Sequence, residues 1–417
     1  MRSLGCVLIL IFSTTCMYSG NGFRIALQGN QSLAMGHTGV AIVNTAESAY
    51  LNPAALPYLN NKLNISVGGF GAFPTSNWQD LESGEEASTR YSFTVPFYAY
   101  ASYNISKHLS AGLAIYTPFQ ANTEWDRNWQ GSHLVNQFEL SSLFVQPVLA
   151  LKINAYFSVG GGPIFATTRI SLNRNYDRFL SDQNNTRANI TLEDSNASDW
   201  GWTAGFLFSP TKDLRVGFNY RSEIRIDSRS AEATFANFPT DFSISNSVEP
   251  FQSSIPLPAE LKIGFTYQIT KNFLFAFDYN RVFWESLDAV DVRFNSGNIE
   301  NLRIPFNFQN ANAFRFGVQY NAMRNLIIRG GFYKEESPNT RGSFSPLYPN
   351  NDGQGFTSGL TIRLSKHFSI DTSFLFVREK EISATYDFYF ENGEPIPFEG
   401  NYLSNLFVFG VGLTCKL

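Results

Sequence analysis

The chain has 417 residues, a net charge of −4 and an aromatic content of 16%, to which 40 Phe contribute most. Mild acidity excludes the basic footprint of a nucleic-acid-binding surface. Past the first residues no apolar run reaches the roughly 18 needed for a transmembrane helix, so any membrane crossing must use strands.

Met1-Arg2-Ser3-Leu4 followed by the apolar Val7 to Phe12 reads as a secretory signal peptide, assigned to residues 1–20. A lipid anchor at Cys16 is the competing reading, and Ser13-Thr14-Thr15 is a poor approach to one. Cys6 and Cys16 leave with the signal, so Cys415 stands without an intrachain disulfide partner.

Residues 21–60 form a second unit, rich in small side chains. Thr45 to Leu51 predicts a short helical piece. In Asn52-Pro53-Ala54-Ala55-Leu56, Asn suits the N-cap of another and Pro its first position, where the missing N–H costs nothing. Neither piece is long enough to be stable alone in water, so the rest of the chain must enclose them.

Residues 61–417 alternate with period two. Leu261, Ile263, Phe265, Tyr267 and Ile269 are apolar or aromatic, with Lys262, Gly264, Thr266 and Gln268 between them. The pattern recurs in Leu214–Tyr220, Phe273–Tyr279, Phe314–Tyr320 and the closing Phe407, Phe409, Val411, Leu413, Cys415 and Leu417. The polar faces carry Arg215, Lys262, Asp278, Arg315, Arg329, Arg363 and Asp371, which a dry sandwich core would not tolerate unpaired. The polar face must be wet or paired, and the apolar face must meet lipid.

Six short links, at 104–108, 153–156, 209–213, 269–272, 321–325 and 365–367, separate seven long polar ones near 75–89, 120–137, 174–199, 236–254, 286–311, 337–354 and 387–401. They predict an all-β fold: a transmembrane antiparallel barrel of about 14 strands with both chain ends in the periplasm. Such a barrel is too wide for its own side chains to fill, and the helical segment at residues 21–60 is the available plug, or hatch.

Gly22-Phe23, Ala34-Met35-Gly36, Gly39-Val40-Ala41 and Asn52-Pro53-Ala54 resemble the N-terminal hatch of the FadL/TodX family of outer-membrane transporters for long-chain fatty acids and aromatic hydrocarbons. The likeness continues in Pro118-Phe119, Gln146-Pro147, Trp200 to Gly205, Leu257 to Gly264, Tyr279 to Trp284, and Arg329 to Tyr333 with Ser337-Pro338. It implies passive uptake of a hydrophobic small molecule, without a cofactor, through an apolar pocket above a movable hatch and out through a lateral gap at a kink in the third strand. Gly22, Phe23, Gly36, Asn52, Pro53 and Ala54 become the gate, and Thr117, Pro118, Phe119 and Gln120 the lateral opening. The chain departs from the family at Gln120, where Gly often follows Pro-Phe, and at His37, where Arg follows the hatch Gly.

Arg215, Lys262, Arg315, Arg329 and Arg363 are candidates to receive a fatty-acid carboxylate; the alternative is that they pair with lumen acids or tie down the hatch. Trp125, Trp129 and Phe138 suit either an outer apolar groove or an aromatic girdle. His37, His108, His133 and His367 lie far apart in sequence and read as solvated loop residues, not metal ligands. Gly160-Gly161-Gly162 lacks the Lys-Ser/Thr of a phosphate loop and reads as a tightly packed strand. No nucleophile and histidine stand together as an enzyme requires. The expected surroundings are outer-membrane lipid and lipopolysaccharide around a monomer inserted by the barrel-assembly machinery. The competing reading is a structural or adhesive barrel whose loops bind a partner without transport.

Overall fold

The computed structural model describes residues 22–90, 93–126, 128–228, 230–295, 299–391 and 393–417; the expected signal peptide lies outside them. Fourteen antiparallel strands form a closed barrel: β1 (Leu63–Gln79), β2 (Phe97–Asn104), β3 (Leu109–Tyr116), β4 (Gln137–Lys152), β5 (Phe157–Asn175), β6 (Asn189–Phe208), β7 (Leu214–Arg221), β8 (Glu260–Thr270), β9 (Phe273–Val282), β10 (Ala311–Met323), β11 (Leu326–Glu335), β12 (Gly353–Arg363), β13 (Phe368–Glu379) and β14 (Phe398–Lys416). Closure is made by β1 on β14, in register from Asn64↔Lys416 to Gln79↔Asn401. No transmembrane edge is left unpaired there, as a hydrocarbon environment requires.

The alternation sorts as the sequence predicts. On β14, Phe409, Val411 and Leu413 are 53%, 52% and 54% exposed, whereas Gly410, Gly412 and Thr414 between them face inward and are buried or nearly so. Exposed apolar rows of this kind recur around the barrel and form its lipid-facing band. The short links sit where expected, but β6 begins at Asn189, well inside the stretch read as a loop at 174–199, and pairs there with the outer end of β5 up to Asn175. Their outer ends stand clear of lipid, where both faces can be polar and the alternation fades. Above the barrel, 224–227 pairs with 254–257 as a separate two-stranded sheet, while 231–236 extends the barrel sheet from β6 and pairs with 247–252, which meets 289–294, itself paired with 302–305.

The lumen holds the N-terminal segment: helices α1 (Asn30–Leu33) and α2 (Ser48–Leu51) and a 3-10 turn at Pro53–Tyr58. Asn52 caps that turn through Ala54 N–H at 3.1 Å, with Pro53 behind it as predicted, although the turn is 3-10 and not α-helical. The Asn52 side-chain Nδ2 donates to Val40 O at 2.7 Å and to Phe206 O on β6 at 3.0 Å, so one side chain caps, folds and anchors the segment. Close approach to the wall depends on glycines. Gly36 (φ +67°) lies flat on β10 and β11, where a Cβ on Gly331 would come within 2.0 Å of Gly36 N. The triple glycine is likewise a strand, and Pro53 packs on Gly160, whose Cβ would fall 2.7 Å from the Pro53 carbonyl carbon.

Candidate functional site

Strand β3 stops at Tyr116 and pairing with β4 resumes at Gln120–Glu124. The intervening Thr117-Pro118-Phe119 lies opposite only Ser142 and Leu143, so the wall buckles at a proline that cannot donate to the ladder. Phe23 and its neighbours fill the defect. Ile25 N–H donates to Pro118 O at 2.9 Å, Gln120 N–H donates to Phe23 O at 3.1 Å, and Arg24 bridges Phe119. Ser142 Oγ holds Phe119 from the β4 side, accepting its N–H and donating to its carbonyl, each at 2.9 Å.

This inserted segment separates two spaces. On one side is an inner pocket with about 780 Å3 of empty volume, walled by Phe23, Phe119, Phe138, Trp284, Phe306 and aliphatic side chains; Asp194, Ser228 and Ser253 are its polar lining. On the other is a more polar chamber of about 1150 Å3, bordered by Gly22, Arg24, Ile25, His37, Glu335 and Gln120–Thr123, and by Pro74–Ser76 of β1. The chamber also touches Thr94 and Pro96, where the β2–β3 ladder has ended, and the outer rim there exposes Phe93, Val95 and Phe97. Above the inner pocket an outer groove of about 2230 Å3 runs among the loops, lined by Tyr176, Phe235, Phe242, Phe294, Phe388 and their neighbours. Leu172, Ile304 and Leu347 belong to both walls, so groove and pocket adjoin.

Buried charges hold the hatch. Glu260 on β8 contacts the Arg24 guanidinium and pairs with Arg221 at 3.0 Å and Lys262 at 3.4 Å, all four side chains being nearly inaccessible. Tyr50 of the hatch packs under these cations, 4.7 Å from Arg221 and 4.8 Å from Lys262. Burial works to raise its phenol pKa, but Lys262 and Arg24 outweigh it and bring it down to about 8. Asp278 accepts the Gly39 and Val40 N–H groups at 2.7 and 3.0 Å. Burial, with Asp371 nearby, pushes the Glu47 carboxyl up to about 8.

Three of the five predicted carboxylate contacts serve this scaffold. Lys262 belongs to the Glu260 cluster, Arg315 pairs with Glu335 at 3.2 Å, and Arg329 donates to Gln31 of the hatch at 3.1 Å. Arg215 is half-buried on β7, and Arg363 is exposed at a short turn, donating to Arg324 O at 3.0 Å. None of the five lines the inner pocket. Trp125 and Trp129 stack on each other at 4.3 Å and are buried in the loop layer with Trp78 and Phe398, away from the groove lining and from lipid. Phe138 lies in the inner pocket against Phe23, with ring centroids 5.4 Å apart.

Two histidines correct the solvated-loop reading. His37 is buried in the hatch at φ +61° against Tyr333, and burial with Arg315 close by holds its pKa well below the ordinary value. His133 is buried between Tyr389 and Phe398, and burial beside Arg174 lowers it to about 3. His108 and His367 are exposed in turns, as expected. Sequence reasoning did not single out Arg24, Arg221, Glu260 and Trp284: Arg221 and Glu260 continue the inward phase of their strands, and Glu260 and Trp284 fall in the family-like stretches, but nothing in the order of residues brings Arg24, Arg221 and Glu260 together.

The sequence model of the outer membrane protein transport protein (OMPP1/FadL/TodX) family matches residues 11–415. The chain belongs to this family. Among curated members, outer membrane protein P1 of Haemophilus influenzae is 19% identical, with 86% of each chain covered, and the long-chain fatty acid transport protein of Salmonella typhi is 21% identical, with 91% of this chain and 92% of that one covered. The fold matches the crystal structure of a Pseudomonas aeruginosa FadL homologue with a TM-score of 0.82 at 16% identity, covering 95% of this chain and all of that one. It matches the Pseudomonas putida toluene transporter TodX with a TM-score of 0.72 at 14% identity, covering 96% and 98%. Family membership and the closed barrel place the protein in the bacterial outer membrane, among transport proteins.

Proposed function

We propose that this family member is a passive channel for small hydrophobic compounds, with the N-terminal segment as its gate. The observation that carries the reading is the seat of Phe23–Ile25 in the break after β3, with an apolar pocket on one side and a chamber beside a lipid-facing rim on the other. A compound collected by the outer groove passes into the inner pocket, displaces or bypasses Phe23, and leaves between Pro96 and Gln120 into the membrane. Gly22, Phe23 and Arg24 move; Gly36, Asn52, Pro53 and Ala54 stay seated on the wall. The route needs no energy source, because the ligand moves from one apolar environment to another past the polar lipopolysaccharide layer.

Relatives are named for long-chain fatty acids and for toluene. No cation lines the inner pocket among the described residues, so uncharged aromatic or aliphatic compounds suit it better than ionised fatty acids. The apolar lining of the pocket, continuous with the outer groove, also favours transport over adhesion or catalysis. Proteoliposomes carrying the protein are expected to take up toluene faster than empty liposomes, and deletion of 22–26 is expected to raise that rate while the barrel remains folded. No acceleration by the wild type, with the barrel intact, would sink the proposal.

A further inference from the structure

The inner pocket has one polar corner. Asp194, 5% exposed, meets Ser228 and Ser253 there, in a wall whose other side chains are apolar. Asp194 faces inward because of a bulge: pairing of β5 with β6 shifts between Thr168↔Ala197 and Ile170↔Asp194, setting Ser195 and Asn196 against the single Arg169. Below the bulge the odd residues Thr203, Gly205 and Leu207 point in; above it the even residues Ile190, Leu192 and Asp194 do. Unbroken alternation would have turned Asp194 out of the lumen.

The protons at this corner can be assigned. A carboxylate only accepts, so the Ser228 hydroxyl donates to Asp194 Oδ2. Ser228 Oγ must then accept across the 3.1 Å contact with Ser253, which uses the Ser253 proton. Asp194 Oδ1 receives one long bond, from Asn196 N–H at 3.3 Å. No Lys, Arg or His lines the pocket or forms an ion pair with Asp194 among the described residues. Both hydroxyl protons are committed, so the corner offers a ligand acceptors and no donor. Among the described residues of the wall, the buried polar side-chain atom without a hydrogen bond is the Trp284 indole N–H, which lies against Gly22 of the hatch.

We propose that the Asp194–Ser228–Ser253 corner makes the inner pocket select apolar compounds bearing a neutral hydroxyl, over their hydrocarbon parents and over carboxylates. The inference rests on the apolar-compound channel proposed above and names its preferred ligand class. A phenolic O–H gains a charge-assisted bond to a desolvated acceptor, whereas a carboxylate brings a like charge into the same apolar space.

The test is binding of ethylbenzene, 4-ethylphenol and 4-ethylbenzoate to the purified full-length protein in detergent, followed by tryptophan fluorescence. Each affinity is expressed relative to that of ethylbenzene, and partitioning into detergent cancels between protein variants. The wild type is expected to hold 4-ethylphenol at least tenfold tighter than ethylbenzene, and 4-ethylbenzoate at least tenfold weaker. Asp194→Asn should bring the phenol advantage to within threefold and lessen the benzoate penalty, leaving the part that comes from desolvating a carboxylate in an apolar pocket. Ser228→Ala, which frees carboxylate Oδ2, should keep or increase the phenol advantage, a contrast that a purely structural role for Asp194 would not produce. A wild type that binds ethylbenzene and 4-ethylphenol equally well overturns the inference alone, whatever the variants do. An Asp194→Asn protein that keeps the full phenol advantage overturns it too. If none of the three compounds binds, the apolar-compound reading fails and takes this inference with it.

Discussion

Arg24→Met isolates the lock on the hatch. Arg24 is the only hatch residue among the three cations paired with Glu260, and its side chain is 2% exposed. Removing it leaves the carboxylate neutralised by Arg221 and Lys262, so no acid is stranded and the barrel wall keeps its pairs. Breaking a buried pair usually costs roughly 3–5 kcal/mol because a charge is left uncompensated; here that penalty is smaller, and about 2–3 kcal/mol is a fair figure. At about 1.4 kcal/mol per factor of ten, the open population of the Gly22–Ala26 segment rises roughly 30- to 150-fold. Amide exchange of Ile25, bonded to Pro118 O at 2.9 Å, reads this directly, since that bond must break for the proton to exchange. The variant should speed Ile25 exchange by that factor and leave the amides of β8 as protected as before. Glu260→Gln strands three cations instead of removing one, and should weaken the barrel itself. Unchanged Ile25 exchange in Arg24→Met, or equal loss of protection in β8, would refute the idea that this ion pair locks the gate.

Asn52→Ala removes the cap on Ala54 and the bonds to Val40 O and Phe206 O, and should loosen the hatch by roughly 2–4 kcal/mol. Limited proteolysis should then cut within 22–60 while the barrel resists. Glu47 titrates near 8 in the docked hatch against 4.5 in an unfolded chain, so the docked state holds the extra proton between those values. Its stability is full below about pH 4.5 and falls as pH rises through 8; Glu47→Gln should abolish that slope in hatch protection measured from pH 5 to 8. Phe23→Ala opens the wall between pocket and chamber, and should raise toluene entry into proteoliposomes several-fold while weakening retention in the pocket. Arg363→Ala, at an exposed turn distant from the pocket lining, should change neither ligand binding nor uptake.

Much of this architecture was legible in the order of residues. Strict alternation in stretches such as Leu261–Ile269 defines two unlike faces, and a chain without an apolar helix has one way to give such faces to lipid and to water. Short and long links then set the strand number, and Asn52-Pro53 announced a capped turn because capping depends on neighbouring residues alone. The roles of single side chains were not legible, because they depend on which strands meet. Lys262 and Arg315 show the correct inward phase from sequence, but only the lumen reveals that Glu260 and Glu335 already hold them. Trp125 and Trp129 carry the composition of a groove and are buried in a loop stack. Asp194 is the sharpest case: a bulge of one residue reverses which face it occupies, and a bulge arises from pairing between strands. Sequence determined the barrel, its membrane-facing band and the presence of a plug, since these follow from local period and composition. The tertiary structure alone decided where the plug meets the break in the wall, which charges it pairs with and which corner of the pocket is polar, since these arise from residues far apart in the chain.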